Sequence, residues 1–275
     1  MPSVILHVGM PKTGTTTVQR ALSASASLLE KNGILYPLSG RFSCLDVCHH
    51  ALFGTASNNI KKIYTPVNAP DIPFESIARG IQHEQKTKGC HTVILSSEML
   101  WSPAAFDETA LIRIRRAFSG YHITIIAYLR PLEEHIASSY AQRVTGAQRY
   151  TGSFQQHSAE MENDGIYEYE KRINQFRSVF GADSVYTEWL PSLRNDVLLP
   201  LKTLIACEYI SIPQEDSNQR KSWTYVRIMR YVNFLLKLRG RRLHNVLERM
   251  LLKVDPYIKN TRFLERCMEP ANLQD

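Results

Sequence analysis

Cysteine is scarce and unpatterned: Cys44, Cys48, Cys90, Cys207 and Cys267 in 275 residues. An odd, scattered set excludes the disulfide framework of a small secreted scaffold and fits a reducing, cytoplasmic location. Cys44 and Cys48 stand near His49 and His50, but no second Cys/His pair of ligand spacing accompanies them, so no metal is expected. No apolar run approaches the roughly 20 residues of a membrane-crossing helix. Met1 to Gly9 has no basic region ahead of its short apolar run, so no secretory leader is expected. There is no internal repeat and no low-complexity segment. Acidic residues are outnumbered, 26 against 33 basic, for a net charge of +7. That balance suits an anionic ligand and would suit nucleic acid equally. The basic residues come without an aromatic stacking motif, so no nucleic acid partner is expected.

What is present is an ordinary globular composition, 44% apolar and 21% charged, long enough for one large α/β domain or at most two small ones. The chain is organised around Val4-Ile5-Leu6-His7-Val8-Gly9-Met10-Pro11-Lys12-Thr13-Gly14-Thr15-Thr16-Thr17. The apolar, β-branched opening reads as a buried strand. Gly9 and Gly14 bracket a tight turn, and Thr15 to Glu30 reads as a helix with Val18, Ala21, Leu22, Leu28 and Leu29 on its apolar face. Strand, glycine-bounded loop and helix N-terminus together make an anion site, because unpaired N–H groups and the helix dipole converge there. Lys12 adds a point charge, and Thr13, Thr15, Thr16 and Thr17 add hydroxyls. The loop departs from the nucleoside-triphosphatase pattern, in which the lysine follows the second glycine. Here Lys12 precedes Gly14 by two residues.

A second apolar strand, Tyr121 to Leu129, ends in Arg130-Pro131, with a helix from about Leu132. Ser138 lies eight residues beyond Arg130 on that helix. A planar guanidinium and a hydroxyl form a natural phosphate cradle. Pro11-Lys12-Thr13-Gly14-Thr15-Thr16 resembles the 5′-phosphosulfate loop of sulfotransferases that use 3′-phosphoadenosine 5′-phosphosulfate, and the Arg130/Ser138 spacing matches the pair that binds the 3′-phosphate in that family. The resemblance spans roughly the first two thirds of the chain. It implies a P-loop-like three-layer α/β sandwich, with a central, mostly parallel sheet flanked by helices and a helical C-terminal part. It also implies this nucleotide as co-substrate and transfer of a sulfuryl group to a hydroxyl or amine. Lys12 would stabilise developing charge, and a side chain would act as general base. Golgi members of the family carry an N-terminal anchor, so this chain looks like a soluble bacterial relative.

The base has three candidates. His50, in Cys48-His49-His50-Ala51, resembles a Cys-x-x-His-Ala stretch of glycan sulfotransferases, one residue shorter in spacing; His49 is its neighbour. Glu98 follows the strand Thr92–Leu95, where some relatives place a glutamate. Histidine is the easier base at neutral pH, which favours His50 with Glu98 second. By resemblance, the acceptor is a polysaccharide or glycolipid, with a small hydroxylated molecule as the other candidate. Two other classes stand beside this reading: a P-loop kinase-like phosphotransferase, which wants a lysine after the second glycine and a metal-binding aspartate, and a non-catalytic binder of anionic ligands.

The remaining expectations concern organisation. Residues 1–215 read as an α/β core and 216–275 as a C-terminal helical segment of one domain. Ile34–Pro37 reads as a short strand, 50–62, 74–88, 166–180 and 193–207 as helices, and 65–73 as a loop. Gly146 to Glu162, polar and turn-rich, reads as a mobile loop. Asn218, Arg220, Lys221 and Ser222 stand where the family has a basic loop, without its glycine-rich pattern. The basic, amphipathic tail after Gly240 reads as packed on the domain, with peripheral membrane contact as a minority role.

Overall fold

The computed structural model describes residues 1–43, 46–56, 72–101, 108–163, 168–193, 196–208, 210–212 and 222–237. Most of the expected 65–73 loop, Asn218, Arg220, Lys221 and the tail from 238 onward lie outside them. The described elements of the larger unit are β1 (Ser3–Gly9), α1 (Thr15–Ala24), α2 (Ala26–Lys31), β2 (Ile34–Leu35), α3 (His50–Ala56), α4 (Phe74–Thr87), β3 (Thr92–Ser96), α5 (Glu108–Ala117), β4 (His122–Leu129), α8 (Tyr169–Phe180), β5 (Val185–Trp189) and α9 (Leu199–Ile205). The smaller unit holds α6 (Leu132–Thr145), α7 (Phe154–Asn163) and α10 (Trp223–Lys237). The two compact units comprise 1–131 with 164–216, and 132–163 with 217–275.

The larger unit is an α/β fold. Its five strands run parallel in the order β2-β3-β1-β4-β5. β1 occupies the centre, pairing Val4 with Val93 on one side and with Ile123 on the other. A central parallel strand must be apolar on both faces, which is why β1 and β4 read as continuous apolar runs rather than as alternating ones. One face carries Ile5, Ile94, Ile126 and Tyr128 into a cluster with Val18, Ala21 and Leu22 of α1, Leu29 of α2 and Leu201 of α9. The opposite parity, including Val4, Leu6, Val8, Val93, Leu95 and Ile125, is equally buried. α8 lies against β4 and β5, α5 against α8, and α3 against α4 and α5. Helices thus flank the sheet.

The single helix expected over 15–30 is two. Ser25 interrupts it, its N–H donating to the Ala21 carbonyl and its own carbonyl accepting from Leu28 and Leu29. The run Ser23-Ala24-Ser25-Ala26-Ser27 is rich in a residue whose hydroxyl competes for backbone groups and weakens helix interiors.

The smaller unit corrects the loop expected over 146–162. Phe154–Asn163 is helical. Ser153 and Gln156 form a capping box: the Gln156 N–H donates to Ser153 Oγ (3.1 Å) and the Ser153 N–H to Gln156 Oε1 (2.7 Å). Phe154, His157 and Met161 then fall on one face, with His157 and Met161 buried. The core of this unit joins Tyr140 and Val144 of α6 to Tyr225, Val226 and Met229 of α10, with Tyr150, Phe154 and Trp223 packed around them. Among the described residues, no helix is long and apolar enough to cross a membrane.

Candidate functional site

In a parallel α/β sheet, ligand sites lie beyond the carboxyl ends of the strands. The loop after β1 is tied there to the end of β4. The Met10 N–H donates to the Tyr128 carbonyl at the end of β4 (3.1 Å), and Arg130 Nη1 donates to the Lys12 carbonyl (2.8 Å). Within the loop, Thr13 Oγ1 donates to the Met10 carbonyl at 2.7 Å. The Thr13 hydroxyl therefore braces the loop. Gly14 caps α1 at φ 80°, and its carbonyl accepts the first helical bond, from Val18. The N–H groups of Thr15, Thr16 and Thr17 precede that bond and have no helical acceptor. Lys12 itself sits at φ 70°, a left-handed conformation that costs a non-glycine residue roughly 1–2 kcal/mol. The Arg130 bond to its carbonyl helps hold it there.

Gly9 closes the base of the loop. A Cβ on it would lie 2.5 Å from Thr15 Cγ2 and 2.7 Å from Thr13 Oγ1. Both neighbours are buried in the first turn of α1 and the loop. Gly9→Ala is expected to destabilise the fold by about 1–3 kcal/mol, as overpacking does, and to lower the affinity of the loop for an anion. Denaturant unfolding checks the first effect and calorimetry the second.

The other side of the site is built on β3. Tyr36 donates to the Val47 carbonyl (2.5 Å), and Arg41 donates to the carbonyls of Pro37 (2.9 Å) and Asp46 (2.7 Å) while its guanidinium lies 5.0 Å from the Tyr36 ring centre. These contacts fold the segment after β2 back onto the sheet. His49 fixes its end. The Ser96 N–H donates to Nδ1 (3.1 Å), Nε2–H donates to the Pro37 carbonyl (3.0 Å), and the His49 N–H donates to the Ser96 carbonyl (2.9 Å). Both ring nitrogens are committed, and burial lowers the pKa to about 3. His49 is a neutral clamp, which leaves it without a nitrogen for proton transfer.

His50, the first residue of α3, is half-buried and differently placed. Its Nδ1 lies 2.7 Å from Ser97 Oγ, which also accepts from the Met99 N–H at 3.2 Å. Its Nε2 lies 3.9 Å from Glu98 Oε1. Burial lowers its pKa, opposed by the charges of Glu98 and Asp46. The other oxygen of Glu98 accepts from Gln19 Nε2 of α1 at 3.1 Å. A short 3₁₀ turn over Glu98–Trp101 carries that carboxylate off the end of β3.

Lys12 links the two sides electrostatically. Its pKa is lowered first by burial and then by Arg130, while Glu98 raises it. Lys12, Arg130, Glu98 and His50 therefore form one cluster at the carboxyl ends of β1, β3 and β4. The Lys12 ammonium feels the charges of both Arg130 and Glu98, and the His50 imidazole stands beside the Glu98 carboxylate. Ser138 stands half-buried on α6 in the smaller unit. Sequence reasoning missed Gln19 and Ser97, which orient Glu98 and His50. Ser97 was legible as a hydroxyl directly after a strand; Gln19 was hidden as a polar residue within an apolar helix face. His7 was also passed over: it is fully buried, bonded through Nδ1 to Ser96 Oγ (2.8 Å), edge-on to Tyr128, and lowered by burial to about 3.

No protein-family model matches this chain, and no curated protein does. Among solved structures, the chain is similar to a sulfotransferase from Alicyclobacillus acidocaldarius, at 16% identity and a TM-score of 0.46, over 80% of this chain and 87% of that one. It is also similar to the sulfotransferase domain from the curacin biosynthetic pathway, at 12% identity and a TM-score of 0.42, over 78% of this chain and 76% of that one.

Proposed function

We propose that the chain is a sulfotransferase, moving the sulfuryl group of 3′-phosphoadenosine 5′-phosphosulfate to a hydroxyl or amine of an acceptor, with a glycan as the favoured class. The observation that carries this reading is the Pro11–Thr16 loop, with the Lys12 carbonyl held by the Arg130 guanidinium and the Lys12 ammonium under the opposing charges of Arg130 and Glu98. The donor set fits the nucleotide's 5′ side: an ammonium, unpaired N–H groups of the first turn of α1, and the open hydroxyl of Thr16. When bound, the nucleotide supplies an activated sulfuryl group and a bisphosphate leaving group. Lys12 and the α1 N-terminus stabilise the charge that grows on the bridging oxygen as the sulfur–oxygen bond breaks. His50 accepts the acceptor's proton at Nε2 when Nδ1–H donates to Ser97 Oγ, and Glu98 faces the imidazolium that results. Arg130 is assigned to the 3′-phosphate.

The 3′-phosphate assignment has a direct test. Arg130→Ala should lose about 1.5–3 kcal/mol of binding for adenosine 3′,5′-bisphosphate, the range of a charge-assisted contact, and much less for adenosine 5′-phosphate. Calorimetry of both nucleotides with both proteins gives the ratio. A mutant that discriminates as well as the natural protein would remove Arg130 from the role, whatever its effect on loop stability through the Lys12 carbonyl.

A further inference from the structure

The smaller unit carries a cleft of about 620 Å³ that the proposed chemistry does not use. Tyr150, Thr151, Gly152, Gln156, Ala159, Glu160, Asn163 and Phe234 line it. That volume lies in the range of small-molecule sites, which pair aromatic walls with a few placed polar groups.

Its walls are held in position. The Tyr150 ring has the Arg143 guanidinium 4.2 Å from its centre and stands edge-on to Tyr140 and His157. Its hydroxyl donates to Glu160 Oε1 at 2.8 Å, and Arg143 Nη1 donates to Glu160 Oε2. Gln156 is fixed through its carbonyl by the Ser153 N–H, so its amide nitrogen remains as a donor. Phe234, on α10, is 59% exposed.

The charge pattern narrows the ligand. Among the described residues that line the cleft there is no lysine or arginine, and the carboxylate among them, Glu160, is paired with Arg143. These described residues offer no cation to an anionic ligand. A flat aromatic beside an amide pair and a hydroxyl matches a ring with an apolar C–H face and a rim of hydroxyl groups. We infer that this cleft is a binding site for a neutral saccharide, formed by Tyr150 and Phe234 as aromatic platforms and by Gln156, Asn163 and Thr151 as hydrogen-bonding partners. The site is defined within the smaller unit and does not depend on sulfuryl transfer.

Saturation-transfer NMR of the full chain, in the absence of nucleotide, tests it with neutral hexasaccharides of glucose, mannose and N-acetylglucosamine and with a sulfated counterpart of each. At least one neutral oligosaccharide should receive saturation and titrate. Phe234→Ala, at an exposed position where folding is preserved, should weaken it about three- to tenfold, the range of an aromatic contact; Gln156→Ala should weaken it in the same direction. Absence of binding by all three neutral oligosaccharides would overturn the inference. So would binding unchanged in both variants, or a sulfated oligosaccharide held more tightly than its neutral form. Because no donor is present, these outcomes are independent of whether the chain transfers sulfuryl groups.

Discussion

Lys12→Ala is expected to lower sulfuryl transfer by about 10²–10³ in kcat, the range for removing one preorganised donor from developing charge, while leaving the fold intact. Lys12 lies in a loop, outside the apolar clusters of the sheet, so its removal opens no cavity in them. What it leaves is Arg130 and the α1 N-terminus facing the same space, enough to retain part of the nucleotide affinity. Burial and the Arg130 charge lower the Lys12 pKa, and Glu98 counteracts them. Removing the ammonium therefore also removes a positive charge that acts on that carboxylate. Three measurements decide the outcome: calorimetry with adenosine 3′,5′-bisphosphate should show weakened binding, turnover with the phosphosulfate donor should collapse, and circular dichroism melting should be close to that of the natural protein. Unchanged affinity with unchanged turnover would overturn the assignment of this loop to the nucleotide.

The loop was legible because its signal is local. A β-branched run, a glycine pair and a threonine-rich helix start lie within fourteen consecutive residues, and the physics that makes them an anion site needs no tertiary partner. The parallel sheet was legible for a similar reason, since strands buried on both faces announce themselves as unbroken apolar runs. Failures arose where the decisive partner is distant or where two local signals compete. Ser153 and Gln156 signal a helix start, but the surrounding polarity and glycines of 146–152 signal a loop, and the periodicity of Phe154, His157 and Met161 is too short to outweigh them. The division between His49 and His50 could not be read from adjacent residues of the same type. It depends on Ser96, Ser97 and Pro37, which are 47 residues downstream or 12 upstream. Gln19 looked like a flaw in an apolar face until Glu98 stood opposite it.

The general base has the other large expected effect, and it separates His50 from Glu98. If His50 takes the acceptor's proton, His50→Ala should lower kcat by about 10² or more with nucleotide affinity retained, as loss of a general base does. The pH profile follows in sign. Burial lowers the His50 pKa, so the neutral, accepting form persists below the ordinary histidine value, and the rate should hold through neutral pH and fall only on further acidification. His7 and His49, each lowered to about 3 by burial, impose a control. The unfolded chain protonates both near pH 6.5, so folding itself weakens as pH falls below that value, and rates are compared only where circular dichroism shows the native fold. His49→Ala should instead reduce stability, because it unties the Pro37 and Ser96 clamp, with a smaller loss of kcat in the molecules that remain folded. Glu98→Gln keeps an acceptor for Gln19 and removes the charge facing His50. Under the His50 assignment it should cost less than His50→Ala and shift the acid limb to lower pH, since the negative charge that favours the imidazolium is gone. A large loss in Glu98→Gln with a small one in His50→Ala would transfer the role to Glu98, and the acid limb should then vanish with the carboxylate. Small losses in both would place the base outside this cluster.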